Sequence, residues 1–131
     1  MNEATQPLAS VEELIADLAA GETPRADWRV GTEHEKIGIY ADTRERVPYE
    51  GKRGIGALLD RIAKADGWDP VTEAGNVIAL LKDSASITLE PGGQLELSGA
   101  PLVTAAQTCS EFNRHVDLVK KESSDFGIDW L

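Results

Sequence analysis

Residues 86–98 read SITLEPGGQLELS, and this stretch decides the fold. Apolar and polar residues alternate on both sides of a PGG loop at 91–93, as they do in two antiparallel strands joined by a short turn. If Glu90 lies opposite Gln94, the apolar side chains share one face and the polar side chains share the other. The stretch therefore predicts a β-hairpin with one face on a core and one polar face.

Helical and strand-like segments surround this hairpin. A capping signature at Ser10 and Glu13 predicts a first helix that ends at Gly21. Apolar residues at helical spacing predict a second helix that ends at Gly67, and a capping signature at Thr104 predicts the start of a third. The predicted strands cover residues 28–40, 68–73, 76–83, 86–90, 94–98 and 128–131. This mixture predicts an α+β fold in which helices pack on one face of an antiparallel sheet. We divide it into a helix and connector over 1–27 and a catalytic unit over 28–131.

The third helix carries an apolar seam that includes the single cysteine. The seam spacing alternates between four and three, which is typical of a buried helix face. Cys109 is therefore interpreted as a small buried hydrophobic residue rather than a nucleophile. The seam residues are Ala105, Cys109, Phe112, Val116 and Val119.

Charge and composition exclude several functions. The 131 residues carry 23 acidic and 13 basic side chains, a net charge of −10, which argues against binding nucleic acid or an anionic membrane. One cysteine permits no internal disulfide and no four-thiolate zinc site. The first 21 residues lack the basic start of a signal peptide, and no apolar run reaches membrane-spanning length. We therefore expect a cytoplasmic protein.

Acidic side chains gather on the predicted sheet faces. Glu33 and Glu35 lie two apart in a strand, so both point to one face, about 7 Å apart. Glu90 and Glu96 lie on the polar face of the hairpin. Neighbouring carboxylates repel unless a cation lies among them, and hard oxygen ligands suit Mg²⁺ or Mn²⁺. The alternative, which spacing alone favours, is a polar face that meets water.

Other polar residues have less specific interpretations. His34 alternates away from the two strand glutamates, so we expect it to have a structural role. Arg53 belongs to a basic group flanking the loop at 46–54. That group could hold an anionic substrate, although charged loop residues are more often simply solvated.

Five motifs resemble one enzyme family when taken in order. They are WRVGTEHEKIGIY (28–40), YEGKRGIGALL (49–59), GNVIAL (75–80), SITLEPGGQLELSGAP (86–101) and QTCSEFNRH (107–115). This order resembles the plant-type and proteobacterial glutamate–cysteine ligases. Small departures include Ala74, where the family commonly has glycine, and Leu95, where it commonly has phenylalanine. None of the departures removes a carboxylate.

The resemblance implies a fold and an activity. The fold would be part of a catalytic domain similar to that of glutamine synthetase. The activity would be ATP-dependent ligation of the γ-carboxylate of glutamate to the amine of cysteine through γ-glutamyl phosphate, the first step of glutathione synthesis. Family enzymes are several times longer, so we expect this chain to be their N-terminal portion and to be inactive by itself. A related ligase with another amine acceptor, or a non-catalytic module that binds metal or glutamate, remains an alternative.

The resemblance also suggests site residues. Glu33 and Glu35 would bind Mg²⁺ or Mn²⁺, and Glu90 and Glu96 would complete the metal cluster or orient its waters. Gln94 and Arg53 would contact substrate, Arg53 through a substrate carboxylate. The implied small molecules are glutamate, cysteine and ATP, with no nucleic acid and no membrane. The sequence does not indicate an oligomeric state.

Overall fold

The structure is a computed structural model that describes residues 9–131, which contain three α-helices and seven strands. The helices are α1 (Val11–Ala20), α2 (Ile55–Asp66) and α3 (Ala105–Glu122). The strands are β1 (Glu33–Lys36), β2 (Gly38–Tyr40), β3 (Asp69–Glu73), β4 (Asn76–Lys82), β5 (Ala85–Glu90), β6 (Gln94–Ser98) and β7 (Ile128–Trp130).

Five strands form one antiparallel sheet in the order β1-β6-β5-β4-β3. Strands β3 to β6 follow one another as hairpins, and β1 reaches the far side of β6 from a distant part of the sequence. The predicted register of the central hairpin is confirmed, because Glu90 lies opposite Gln94. Gly92 and Gly93 have φ angles of +82° and +80°, so this turn uses backbone conformations that favour glycine.

The core lies between one face of this sheet and the helices. Four buried leucine and isoleucine side chains of the sheet meet four buried residues of α2. Helix α2 ends where Gly67 adopts φ +67°, as the glycine at that position predicts. The α+β fold with helices on one sheet face is thus confirmed. The main core side chains are Ile55, Leu58, Leu59, Ile62, Leu80, Ile87, Leu95 and Leu97.

The strand predicted over 28–40 is divided in the structure. Strand β1 pairs with β6, whereas β2 pairs with β7 in a separate two-stranded sheet. The chain changes sheets at Ile37, whose N–H donates to Leu131 and whose carbonyl accepts from it, both at 3.0 Å. Within residues 28–32, which precede β1, the one β-bridge joins Val30 to Leu102. The single-strand prediction was therefore wrong, because two different partners share this stretch.

The predicted buried face of α3 was right in part: Val119 is buried and Phe112 and Val116 are half-buried, whereas Ala105 and Cys109 are exposed. The helix begins with the expected capping box, in which Thr104 accepts from the Gln107 N–H and the Gln107 side chain accepts from the Thr104 N–H. Its buried residues are Thr108, His115 and Val119, and Cys109 is exposed. The buried positions outside the predicted seam are Thr108 and His115, and His115 lines a cavity that is described below.

Helix α1 begins at the predicted cap, where Ser10 Oγ accepts from the Glu13 N–H at 3.1 Å. All ten of its residues are exposed, including the apolar side chains of Val11 and Leu18. The first eight residues of the predicted 1–27 segment lie outside the described residues. Among the residues that are described, no helix is long and apolar enough to span a membrane.

Candidate functional site

The polar face of the sheet brings acidic side chains from two strands together. Strand alternation turns Glu33 and Glu35 to the face opposite the core. Glu35 lies directly opposite Glu96, and Glu33 lies directly opposite Ser98. Side chains that face one another across an antiparallel pair have Cβ atoms about 4.5–5.5 Å apart. The register therefore places two carboxylates in contact range across β1 and β6.

The row that contains this pair runs across the whole sheet. From Glu35 and Glu96 it continues through Thr88, Ala79 and Val71 on β5, β4 and β3. This one row is therefore acidic on β1 and β6 and apolar at Ala79 and Val71, although β3 also carries the exposed charged residues Asp69 and Glu73.

The remaining predicted residues of this face lie at the hairpin end. Glu90 and Gln94 are cross-strand partners beside the loop, and both are partly buried. The Gln94 side-chain amide donates to the carbonyl of Pro91 at 3.4 Å. Gln94 is two residues from Glu96 along β6, so about 7 Å separates this pair of side chains from the central row.

These carboxylates have little local compensation. No ion pair in the described part of the chain involves Glu33, Glu35, Glu90 or Glu96. Glu96 Oε1 accepts a 2.6 Å hydrogen bond from Ser98 Oγ. Like charges directly opposite on a sheet are destabilising. Over residues 9–131, no three His, Cys, Asp or Glu side chains are grouped closely enough to hold a metal ion by themselves.

The opposite face of β1 carries two basic residues into the interior. Lys36 is 5% exposed, and burial lowers its pKa to about 8, although the charge of Glu35 opposes that shift. Its ammonium group donates to the His34 carbonyl at 3.3 Å. Burial likewise lowers the pKa of His34, whose ring packs edge-on against Phe112 with 4.5 Å between centroids. The Nδ1 atom of His34 is buried without a hydrogen-bond partner among the described residues, so its structural role stays a prediction.

Arg53 has its contacts elsewhere in the fold. Its guanidinium lies 4.8 Å from the centre of the Tyr40 ring, and Nη1 donates to the Phe126 carbonyl at 3.2 Å. Tyr40 Oη in turn donates to the Arg53 carbonyl at 3.3 Å. These contacts tie the start of α2 to β2 and to the turn after α3. They do not bring Arg53 to the acidic row.

Sequence reasoning identified the carboxylate face but missed two buried features. Lys36 lies at a core position behind the acidic strand, and its strand alternation relative to Glu35 was the available signal. Glu111 and His115 face a cavity from α3, and their four-residue spacing places them on one side of a helix. Neither feature was evident from the sequence, because polar residues at these positions also fit an exposed surface.

Comparison with known proteins identifies similar sequences. A model of glutamate–cysteine ligase family 2 matches residues 29–131. The chloroplastic glutamate–cysteine ligase A of Oryza sativa subsp. japonica is 46% identical over 127 residues, which are 97% of this chain. The chloroplastic glutamate–cysteine ligases of Brassica juncea and Arabidopsis thaliana are 46% and 45% identical over 128 residues, or 98% of this chain.

These relatives correct the expected location. They are named as chloroplastic enzymes, so the expectation of a cytoplasmic protein was wrong. That expectation rested on the missing basic start of a signal peptide and on the lack of a membrane-spanning apolar run, which bear on secretion and membranes and carry no information about plastids.

The comparisons also define how much of the relatives is represented. The chain spans about a quarter of their length: 25% of the rice enzyme and 24% of the Brassica juncea enzyme. The family model nevertheless covers most of the chain and includes every predicted site residue. The chain therefore belongs to glutamate–cysteine ligase family 2.

Proposed function

We propose that this chain is the part of a glutamate–cysteine ligase that carries the carboxylate face of the active site. The whole enzyme would use ATP to activate the γ-carboxylate of glutamate as γ-glutamyl phosphate, which the amine of cysteine then attacks. Family membership and the names of the relatives support this activity. The observation that carries the assignment to this surface is the pairing of Glu35 with Glu96, neither of which belongs to an ion pair within the described residues.

A divalent cation, Mg²⁺ or Mn²⁺, fits this surface. Protein sites for Mg²⁺ commonly supply one or two carboxylates and leave the other positions to water and substrate phosphates. Glu35 and Glu96 would supply that pair, with Glu33 and Glu90 as further ligands or as acceptors for bound water. When bound, such a cation neutralises and aligns the phosphate oxygens of ATP.

The neutral and basic residues would bind substrate. Gln94 offers an amide beside Glu90 at the hairpin end, where it can donate to one substrate group and accept from another. Arg53 has five N–H donors, of which one is committed to the Phe126 carbonyl. Its remaining donors could bind a substrate carboxylate if the rest of the active site approaches the start of α2.

By itself, the chain should bind the cation without turnover. It spans a quarter of the length of its relatives, and β1, which carries Glu33 and Glu35, is an edge strand of the sheet. Purified chain with Mg-ATP and glutamate, with or without cysteine, is expected to release no ADP above background. Release that depends on both amino acids would show that this quarter alone catalyses the reaction.

Metal binding can be tested directly with Mn²⁺. Electron paramagnetic resonance distinguishes free from bound Mn²⁺, so a titration of the purified chain gives the affinity. Glu35→Gln and Glu96→Gln should each weaken binding about tenfold, the scale of one charge-assisted interaction. Glu45→Gln is the matched control, because Glu45 is exposed and its backbone carbonyl accepts from Tyr40 of β2, in the separate two-stranded sheet. Equal affinities in all four proteins would remove the metal assignment.

The ligase assignment needs the whole active site. A chimera can carry this chain in place of the matching quarter of the rice enzyme. Cysteine-dependent ADP release by the chimera, and its loss in the Glu96→Gln version, is the expected result. A folded chimera that catalyses with another amine in place of cysteine would favour the related carboxylate–amine ligase.

A further inference from the structure

A cavity of about 570 Å³ lies on the helix side of the sheet, away from the acidic row. It is bounded by α3, by the residues that follow α2, and by the turn between β4 and β5. Trp68, Leu97 and Leu118 form much of its apolar wall. The volume is in the range of ligand-binding pockets and is far larger than a packing defect.

Two polar residues of α3 line this cavity with unmet hydrogen-bonding capacity. His115 is only 4% exposed, yet within the described residues neither ring nitrogen has a hydrogen-bond partner. Glu111 uses one carboxylate oxygen to accept from the Ala100 N–H at 3.0 Å, and its other oxygen is buried without a partner. Buried polar atoms are almost always paired, so these orphans point to a group that completes them.

The charged side chains that line the cavity carry an excess of negative charge, although the buried ammonium group of Lys36 is close enough to His115 to lower its pKa as well. Asp66 and Lys82 form an ion pair at 2.8 Å and largely neutralise each other. The remaining charged side chains of the lining are three acids and one base: Asp83, Glu111, Asp117 and Arg114. The lining therefore has an excess of negative charge beside an aromatic wall.

We propose that this cavity binds a protonated amine or guanidinium group on an apolar body, with the cation at Glu111 and the body against Trp68. The neutral His115 ring would accept a second hydrogen bond from the cation through one nitrogen. Burial lowers the pKa of His115 to about 3, which keeps the ring neutral and able to accept near neutral pH. The ligand could be a free amine or a lysine or arginine side chain of another polypeptide segment. The proposal is independent of the ligase assignment, because it concerns the opposite face of the sheet.

Nuclear magnetic resonance of the ¹⁵N-labelled chain tests this site. Phenethylamine is the probe, and 2-phenylethanol is its neutral counterpart of nearly the same shape. We expect saturable shifts of the Trp68 indole N–H and of amides in α3 with the amine, and at least tenfold weaker binding of the alcohol. Glu111→Gln should weaken amine binding about tenfold, and the exposed Glu45→Gln should leave it unchanged.

A second probe, Nα-acetyl-lysine methylamide, distinguishes the two sources of the cation. Tighter binding of this compound than of phenethylamine would identify a peptide lysine as the natural occupant, and the reverse order would identify a free amine. Absence of saturable shifts with both compounds would overturn the proposal. Equal binding of the amine and the alcohol would also overturn it, because the cavity would then recognise only apolar shape.

Discussion

Acidification should destabilise this protein through His115. Burial lowers the pKa of this imidazole to about 3 in the folded chain, whereas an unfolded chain keeps the ordinary value of 6.5. Between these values the unfolded state binds a proton that the folded state excludes. The contribution of His115 to stability is therefore fully present above pH 6.5 and is lost as the pH falls toward 3.

The size of this effect follows from the pKa difference. Each unit corresponds to 1.36 kcal/mol, so lowering the pH from 7 to 5 should reduce the free energy of unfolding by about 2 kcal/mol through His115 alone. His34 should add to the loss in the same direction, since burial lowers its pKa as well.

Urea denaturation at pH 7 and pH 5, followed by circular dichroism, measures the difference. His115→Leu removes the ionisable ring, so the pH-dependent loss in this variant should be about 2 kcal/mol smaller than in the wild type. Lys120→Leu, at an exposed position of the same helix, should keep the wild-type dependence. If His115→Leu and the wild type lose equal stability between pH 7 and pH 5, the conclusion that His115 is buried in its neutral form is refuted.

Three further predictions concern single side chains. Lys36→Met should raise the free energy of unfolding by about 1–3 kcal/mol at pH 7, because a buried cation becomes an apolar group of similar length; urea denaturation measures this. Ala74→Gly should stabilise by about 1 kcal/mol in the same assay, because Ala74 has φ +48°. Cys109→Ser should change stability by less than about 0.5 kcal/mol, and a thiol-reactive dye should label Cys109 without denaturant, because the residue is exposed. A loss above 2 kcal/mol for Cys109→Ser would restore the buried-seam interpretation.

Local patterns predicted the features that depend on neighbouring residues. The period-two alternation and the adjacent glycines were sufficient for the register of Glu90 and Gln94. The caps at Ser10, Thr104 and Gly67 likewise depend on contacts within one helical turn. Alternation also placed Glu33, Glu35 and the hairpin carboxylates on polar faces before any tertiary contact was known.

Features that depend on distant partners could not be predicted in this way. The break at Ile37 exists because β2 pairs with a strand about ninety residues later. Nothing near Glu35 indicates that Glu96 is its partner, so the sequence predicted a common face but not their contact. The buried face of α3 depends on the cavity beside Glu111 and His115. The spacing of apolar residues along one helix contains no information about such a cavity.

The order of the strands has a consequence for folding. Strands β3 to β6 are joined by loops of two or three residues, so these hairpins can form from local encounters. Pairing of β1 with β6 closes a loop of about sixty residues, which costs roughly 2 kcal/mol more chain entropy than closing a four-residue loop. The meander should therefore form before β1 docks. The contact between Glu35 and Glu96 should therefore be the last part of the sheet to assemble, and these two carboxylates meet only after the meander has formed.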